Sequence, residues 1–265
     1  MRCHDPIPPA IRTRIDAELA AIRATGVRIL FAVESGSRAW GFPSPDSDYD
    51  VRFVYHHPRD WYLSLVPGRD VIERPISDEL DISGWDLRKA LNLLLKPNPT
   101  LLEWLSSPIR YAWDDAACAG LRDLAARIGH RAACAHHYRQ LALGQWRQHI
   151  DGQDHVAIKK YFYVLRPALA LRWLRMRGDL VPMRLQDLMA GTDLPAPLAG
   201  AITDLVALKA QTREMGKGAR LPDLDALILS ELHHPHPCRG GLTLSVNGRP
   251  AITSARAGQV REKPA

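Results

Sequence analysis

The sequence predicts an α+β protein, with strand patterns confined to residues 9–112 and only helical patterns across residues 116–233. Three observations carry this prediction. Residues 27–33 form an apolar, β-branched run bounded by Gly26 and Gly36, which is strand chemistry. From Asp48 the side chains alternate, with Asp48, Asp50, Arg52 and Val54 on one face and Tyr49, Val51, Phe53 and Tyr55 on the other. Beyond Ala116 apolar residues recur at helical spacing between glycine turns, and no convincing strand follows.

The elements follow in order. Ile11, Ile15, Leu19 and Ile22 fall at helical spacing, so a helix precedes the strand at 27–33. The chain turns at Gly36, a short helix starts at Ser37, and residues 41–47, with two prolines and several turn formers, make a loop. The second strand therefore begins near Asp48, and its Tyr49 face is the core face. Leu80 and Ile82 flank Asp81 as in a strand, which aims Asp81 away from the core.

Helical spacing then takes over. Asp86 supplies an N-terminal charge, Leu87, Ala90, Leu91, Leu94 and Leu95 share a face, and Lys96-Pro97 stops the helix. Asn98-Pro99 reads as the cap and first residue of the next helix, with Glu103 as an acid on its face; a catalytic role is the alternative for Asn98 and Glu103. Further helices are expected at 117–128, 132–150, 156–177, 185–189, 198–215 and 221–232, with turns at Gly152, Gly178 and Gly216-Lys217-Gly218. The chain thus divides into residues 9–112, residues 116–233 and a flexible tail at 234–265.

The turn and the acids share one chemistry. Gly36 lets backbone approach a ligand, and a helix starting at Ser37 presents N–H groups and a hydroxyl to a phosphate. Asp48 and Asp50, at i and i+2 of a strand, have Cα atoms about 6.6 Å apart. Their carboxylates can converge on magnesium, which favours carboxylate and phosphate oxygens, and paired ions roughly 3.5–4 Å apart serve phosphoryl transfer. Asp81 is the candidate third acid, either as a ligand or as a general base on an acceptor hydroxyl. An Asp-x-Asp alone is common at solvated strand starts; its combination with the Gly-Ser turn, the loop and Asp81 points to a nucleoside triphosphate with Mg²⁺, or Mn²⁺ in its place.

Further basic candidates lie elsewhere. On the helix expected from near His155, Lys159, Phe162, Tyr163 and Arg166 sit at spacings of three and four, with Lys160 beside them. This basic edge along an aromatic strip can hold a triphosphate or stack a base; the alternative is a solvated Lys-Lys pair on an amphipathic helix. Arg38 either neutralises a leaving group or pairs with a strand acid, and Trp40 and Phe42 read as apolar anchors of the loop. His136, His137 and His149 read as packing or solvated helix residues. The segment from His233 to Cys238 reads as tail, with soft-metal binding as the alternative.

Gly36-Ser37, a ten-residue spacer and Asp48-Tyr49-Asp50 resemble the DNA polymerase β superfamily of nucleotidyltransferases. Longer stretches, from Glu34 to Phe42, Ser47 to Phe53, Asp81 to Ala90, Asn98 to Leu105 and Lys159 to Pro167, look like its YcgL-type, RNA-ligase-associated branch. The resemblance implies a small mixed-sheet nucleotidyltransferase head followed by an all-helical C-terminal domain, and magnesium-dependent use of a nucleoside triphosphate. It carries Gly36, Ser37, Asp48 and Asp50 into the family pattern without departure, and does not supply the acceptor.

Composition sets the outer limits. At 265 residues the chain can bury a substantial core. It has no apolar run of about twenty residues and no hydrophobic leader, so a soluble cytoplasmic protein without membrane contact is expected. Cys3, Cys118, Cys134 and Cys238 are widely spaced, against a zinc ribbon or a disulfide framework. The net charge of +6 and pI near 9.3 suit a polyanion, though a triphosphate site explains them equally. Three functions follow: transfer of a nucleoside monophosphate to RNA, modification of a protein or small-molecule hydroxyl, and a catalytically silent nucleotide- or RNA-binding module.

Overall fold

A computed structural model describes residues 7–66, 68–76, 79–95, 98–212 and 216–235. The first part runs α1 (Pro9–Ala24), β1 (Arg28–Ser35), α2 (Gly36–Trp40), β2 (Tyr49–His56), α3 (Arg59–Tyr62), β3 (Val71–Glu73), β4 (Leu80–Asp86), α4 (Leu87–Leu95), α5 (Thr100–Leu105) and β5 (Arg110–Trp113). The second runs α6 (Asp115–Ile128), α7 (Arg131–His149), β6 (His155–Ala157), α8 (Lys159–Met176), α9 (Leu185–Ala190), α10 (Ala196–Gln211), β7 (Lys217–Ala219) and α11 (Pro222–His233).

The sheet is mixed, in the order β3-β4-β2-β1-β5. β1 pairs antiparallel with β2 and β5, β2 parallel with β4, and β4 antiparallel with β3. Period-two alternation decides what each face meets. Tyr49, Val51, Phe53 and Tyr55 of β2, with Leu80 and Ile82 of β4, pack in one core with Ile11, Ile15, Leu19 and Ile22 of α1. Val54, Leu30 and Val33 enter a second core that also takes in α4, α5 and the later helices. Asp50, Arg52 and Asp81 alternate with the first set, so they lie on the side of the sheet that the helices cover.

The second half is built on α8, which packs against α7, α9 and α11 and is buried continuously from Val164 to Leu171. It also grips the loop after α2. Phe42 stacks on Phe162 with centroids 4.8 Å apart, Gln186 Nε2 donates to the Gly41 carbonyl at 2.6 Å, and Lys209 Nζ donates to the Phe42 carbonyl at 2.8 Å. Phe42 is therefore the anchor its sequence context suggests. Cys118 and Cys134 are buried free thiols.

Two expectations need correction. The second half is not wholly helical: β6 and β7 pair antiparallel, His155 opposite Ala219, so α8 starts at Lys159 rather than near His155. β5 carries no expectation of its own, because its four residues pair with β1 on one edge only and are too few to show a period. Asp86 and Asn98 do act at helix starts, each accepting a backbone N–H two residues on, from Arg88 at 2.8 Å and Thr100 at 2.9 Å. Among the described residues no helix is long and apolar enough to cross a membrane. The segment from residue 236 onward, with most of the expected tail and its Cys238, lies outside the described residues, as does Cys3.

Phe162→Ala should cost about 3–5 kcal/mol, since it removes a fully buried ring that joins α8 to the Phe42 loop. Urea unfolding checks this; a change below about 1 kcal/mol would show that the stack is dispensable.

Candidate active site

Strand register builds this site. Ser35 of β1 lies opposite Asp50 of β2, so the turn leaving β1 is pressed against the start of β2. Gly36 occupies that turn with φ of +63°, and a Cβ there would fall 2.0 Å from Asp50 Oδ2. Both facts demand glycine. Gly41, at φ +85°, ends the short helix α2 in the left-handed conformation.

Asp50 of β2 is in turn opposite Asp81 of β4. Between their side chains lies Arg52, whose Nη2 is 3.1 Å from Asp50 Oδ1 and 2.6 Å from Asp81 Oδ2. Its Nη1 also donates to the Asp81 carbonyl at 2.8 Å. Burial pushes the Asp50 carboxyl above the usual carboxylate range; Arg52 pulls it back, while the negative charges of Asp81 and Asp48 add to the rise. The acids are thus crowded, and one guanidinium holds two of them apart.

A cavity of about 600 Å³ is lined by Gly36, Ser37, Asp48, Asp50, Lys159 and Lys160. Arg52, Tyr163 and Lys209 complete its working walls. Tyr163 of α8 is near enough that the Asp50 charge, second to burial, raises its phenol. Lys209 of α10 is 6% exposed, and burial lowers its ammonium to about 8 against the charge of Asp46. The basic edge expected on α8 therefore meets the acids across one cleft.

Three expected site residues are placed differently. Asp81 does not line the cavity, and its carboxylate is committed to Arg52. Arg38 is not part of the cavity lining and forms no ion pair among the described residues: it donates to the carbonyls of Ser47 at 2.5 Å and Asp48 at 3.2 Å and lies 3.8 Å over the Tyr49 ring. It ties α2 to the loop before β2. Arg166 is buried in α8, with Nη1 3.0 Å from Glu103 Oε1 and Nε 3.1 Å from the Met183 carbonyl. Tyr138 donates to the same Glu103 oxygen at 2.7 Å, so Glu103 is an interior anchor rather than a helix-face acid.

Two functional neighbours were not legible. Glu34 is fully buried beneath Asp50, accepts its backbone N–H at 2.9 Å and takes a hydrogen bond from the Tyr111 hydroxyl. A carboxylate ending the apolar run of β1 is the only hint of it in the sequence. Lys209 reads as the last-turn base of a surface helix, and nothing in its spacing signals burial against Phe42.

The acids fit a divalent cation in a specific way. Asp48 and Asp50 share the cavity with Lys159, Lys160 and Lys209, and their like charges would be relieved by a cation that also takes phosphate oxygens, the usual arrangement for magnesium. Asp81 stands apart from that pair, with the Arg52 guanidinium between it and Asp50. Among the described residues no group of three His, Cys, Asp or Glu is gathered for a metal.

The RlaP profile, described as the RNA repair pathway DNA polymerase beta family, matches residues 11–245. The chain belongs to that family. An uncharacterized protein, YcgL, from Bacillus subtilis (strain 168) is 45% identical over 223 residues, 84% of this chain and 85% of its own. A crystal structure of a nucleotidyltransferase-like protein from Exiguobacterium sibiricum 255-15 is 15% identical with a TM-score of 0.27, covering 84% of this chain and 72% of that one, which is too distant to bear on the fold. Membership in the polymerase beta family supports a general role for the chain in nucleotidyl transfer.

Burial raises Glu34 from 4.5 to about 7. Between those values the unfolded chain releases this proton and the folded protein keeps it, so the contribution of Glu34 to stability is full below 4.5 and lost as pH rises through about 7. Glu34→Gln keeps an acceptor for the Asp50 amide and removes the titration. In urea unfolding the variant should gain on wild type from about pH 5 to about pH 8; parallel pH profiles would contradict this.

Proposed function

We propose that this protein transfers a nucleoside monophosphate from a nucleoside triphosphate to a hydroxyl of RNA. The observation that carries the reading is the convergence of Gly36, Ser37, Asp48 and Asp50 with Lys159 and Lys160 on one cavity. Asp48 and Asp50 would hold Mg²⁺, or Mn²⁺ in its place. When bound, such an ion neutralises phosphate charge and polarises the reacting phosphoryl oxygens.

The remaining roles belong to the chain itself. Gly36 leaves room for the Asp50 carboxylate to sit against the turn, and the Ser37 hydroxyl donates to a phosphate. Lys159 and Lys160 supply the positive charge that a leaving pyrophosphate requires. Arg52 fixes the Asp50 carboxylate, and Asp81 acts through Arg52 as a positioning residue rather than as a base. The acceptor oxygen forms a bond to the α-phosphorus, the α–β bridging bond breaks, pyrophosphate takes the electron pair and the hydroxyl proton passes to water. The net charge of +6 and the RNA repair description of the family support RNA as the acceptor.

The test is incubation with Mg²⁺ and each α-labelled nucleoside triphosphate, offering bulk RNA and a cell extract. Label should enter RNA, and Asp50→Asn should lower incorporation at least about a hundredfold with an unchanged circular dichroism spectrum, since Lewis-acid stabilisation is worth several kcal/mol. Label in protein or a small molecule would move the acceptor to that class. Nucleotide binding with neither label nor pyrophosphate release would make the protein a silent binding module and contradict the proposal.

A further inference from the structure

A second cavity, of about 240 Å³, adjoins the first and shares Ser35, Trp40 and Tyr163 with it. Its chemistry is different. The first cavity carries carboxylates and lysines, whereas the second is walled by Trp40, Phe162, Tyr163 and Leu141, with Glu103 and Arg166 as its charged pair. That pair is joined at 3.0 Å and cancels its own charge. The space is thus aromatic and close to neutral, smaller than the roughly 300 Å³ at which cavities for drug-sized ligands begin.

Two of its lining residues each carry a buried nitrogen with no hydrogen-bond partner among the described residues: Arg166 Nη2 and Trp40 Nε1. Arg166 is 4% exposed, its guanidinium carbon lies 4.9 Å from the Trp40 ring, and its other two nitrogens are occupied by Glu103 and the Met183 carbonyl. A buried donor left unpaired is costly, and an acceptor brought by a ligand would relieve that cost. The partner must bring acceptor atoms, lie flat against aromatic walls and carry little charge. The walls shared at Trp40 and Tyr163 let such a partner be joined to a group in the acid-and-lysine cavity.

We infer that this second cavity is the nucleobase subsite of the incoming nucleoside triphosphate, with Trp40 and Tyr163 flanking the passage to the phosphates and Arg166 Nη2 donating to an acceptor on the base edge. The inference rests on the nucleotidyl-transfer reading and adds to it the place where the base is held. Base-to-aromatic stacking and one buried hydrogen bond together are worth at least about tenfold in affinity.

The experiment titrates wild type and two variants with nucleoside triphosphates and with inorganic tripolyphosphate, each with Mg²⁺, by calorimetry. Leu141→Trp fills the cavity from a side chain that is 41% exposed, which leaves the buried Glu103–Arg166 pair intact. Arg166→Lys keeps the charge facing Glu103 and removes the Nη2 donor. Both variants should weaken nucleoside triphosphate binding about tenfold and leave tripolyphosphate binding unchanged. Unchanged nucleotide affinity in Leu141→Trp would overturn the subsite, and so would an equal loss of both ligands; in either case phosphate binding to wild type leaves the transfer reading standing. Wild type that binds neither ligand would overturn both.

Discussion

The contact on which the rest depends is the close approach of Gly36 to the Asp50 carboxylate. Oδ2 of Asp50 fills the space that a side chain on residue 36 would need, and the pairing of Ser35 with Asp50 holds the two together. Because side chains in a strand alternate, a one-residue slip of β2 would turn Asp50 into the α1 core and Val51 out of it. Tyr49, Val51, Phe53 and Tyr55, all 5% exposed or less, make that slip prohibitive. The site is therefore positioned by the hydrophobic face it does not use.

The same register crowds negative charge and supplies its remedy. Parallel pairing of β2 and β4 sets Asp81 beside Asp50, and the next outward residue of β2, Arg52, bridges them. Asp48 lies ahead of the strand, exposed, and shares the cavity with Asp50. This divides three similar carboxylates by environment: two face the cavity, and one is held out of it by a guanidinium. The helical half then closes the cleft with the lysines of α8 and is fastened to the loop of Phe42 by a ring stack, a lysine and a glutamine.

Much of this was legible in the sequence, for physical reasons that differ by element. β2 and β4 declare themselves because one face is buried and the other is not, so period two is written into Asp48 to Tyr55 and into Leu80 to Ile82. Gly36 and the Asp pair are legible because their spacing is local. Arg52 was visible on the outward face with Asp50, but its bridge to Asp81 depends on which strand neighbours which, and alternation does not encode that. Lys209, Glu34 and the Glu103–Arg166 pair were hidden for the same reason: each acquires its role from a residue between 16 and 167 positions away. β6 was absorbed into the expected helix because three residues before Lys159 cannot show a period.

The central proposal is that the Gly36 turn and the Asp48–Asp50 pair form one phosphate-and-cation site facing α8. Its most direct test is a crystal structure with a non-hydrolysable nucleoside triphosphate and Mg²⁺. An ion on Asp48 and Asp50, phosphates against Gly36, Ser37, Lys159 and Lys160, and Arg52 still bridging Asp50 and Asp81 are the expected result. Phosphates bound elsewhere, or an ion that displaces Arg52 to take Asp81 as a ligand, would contradict it.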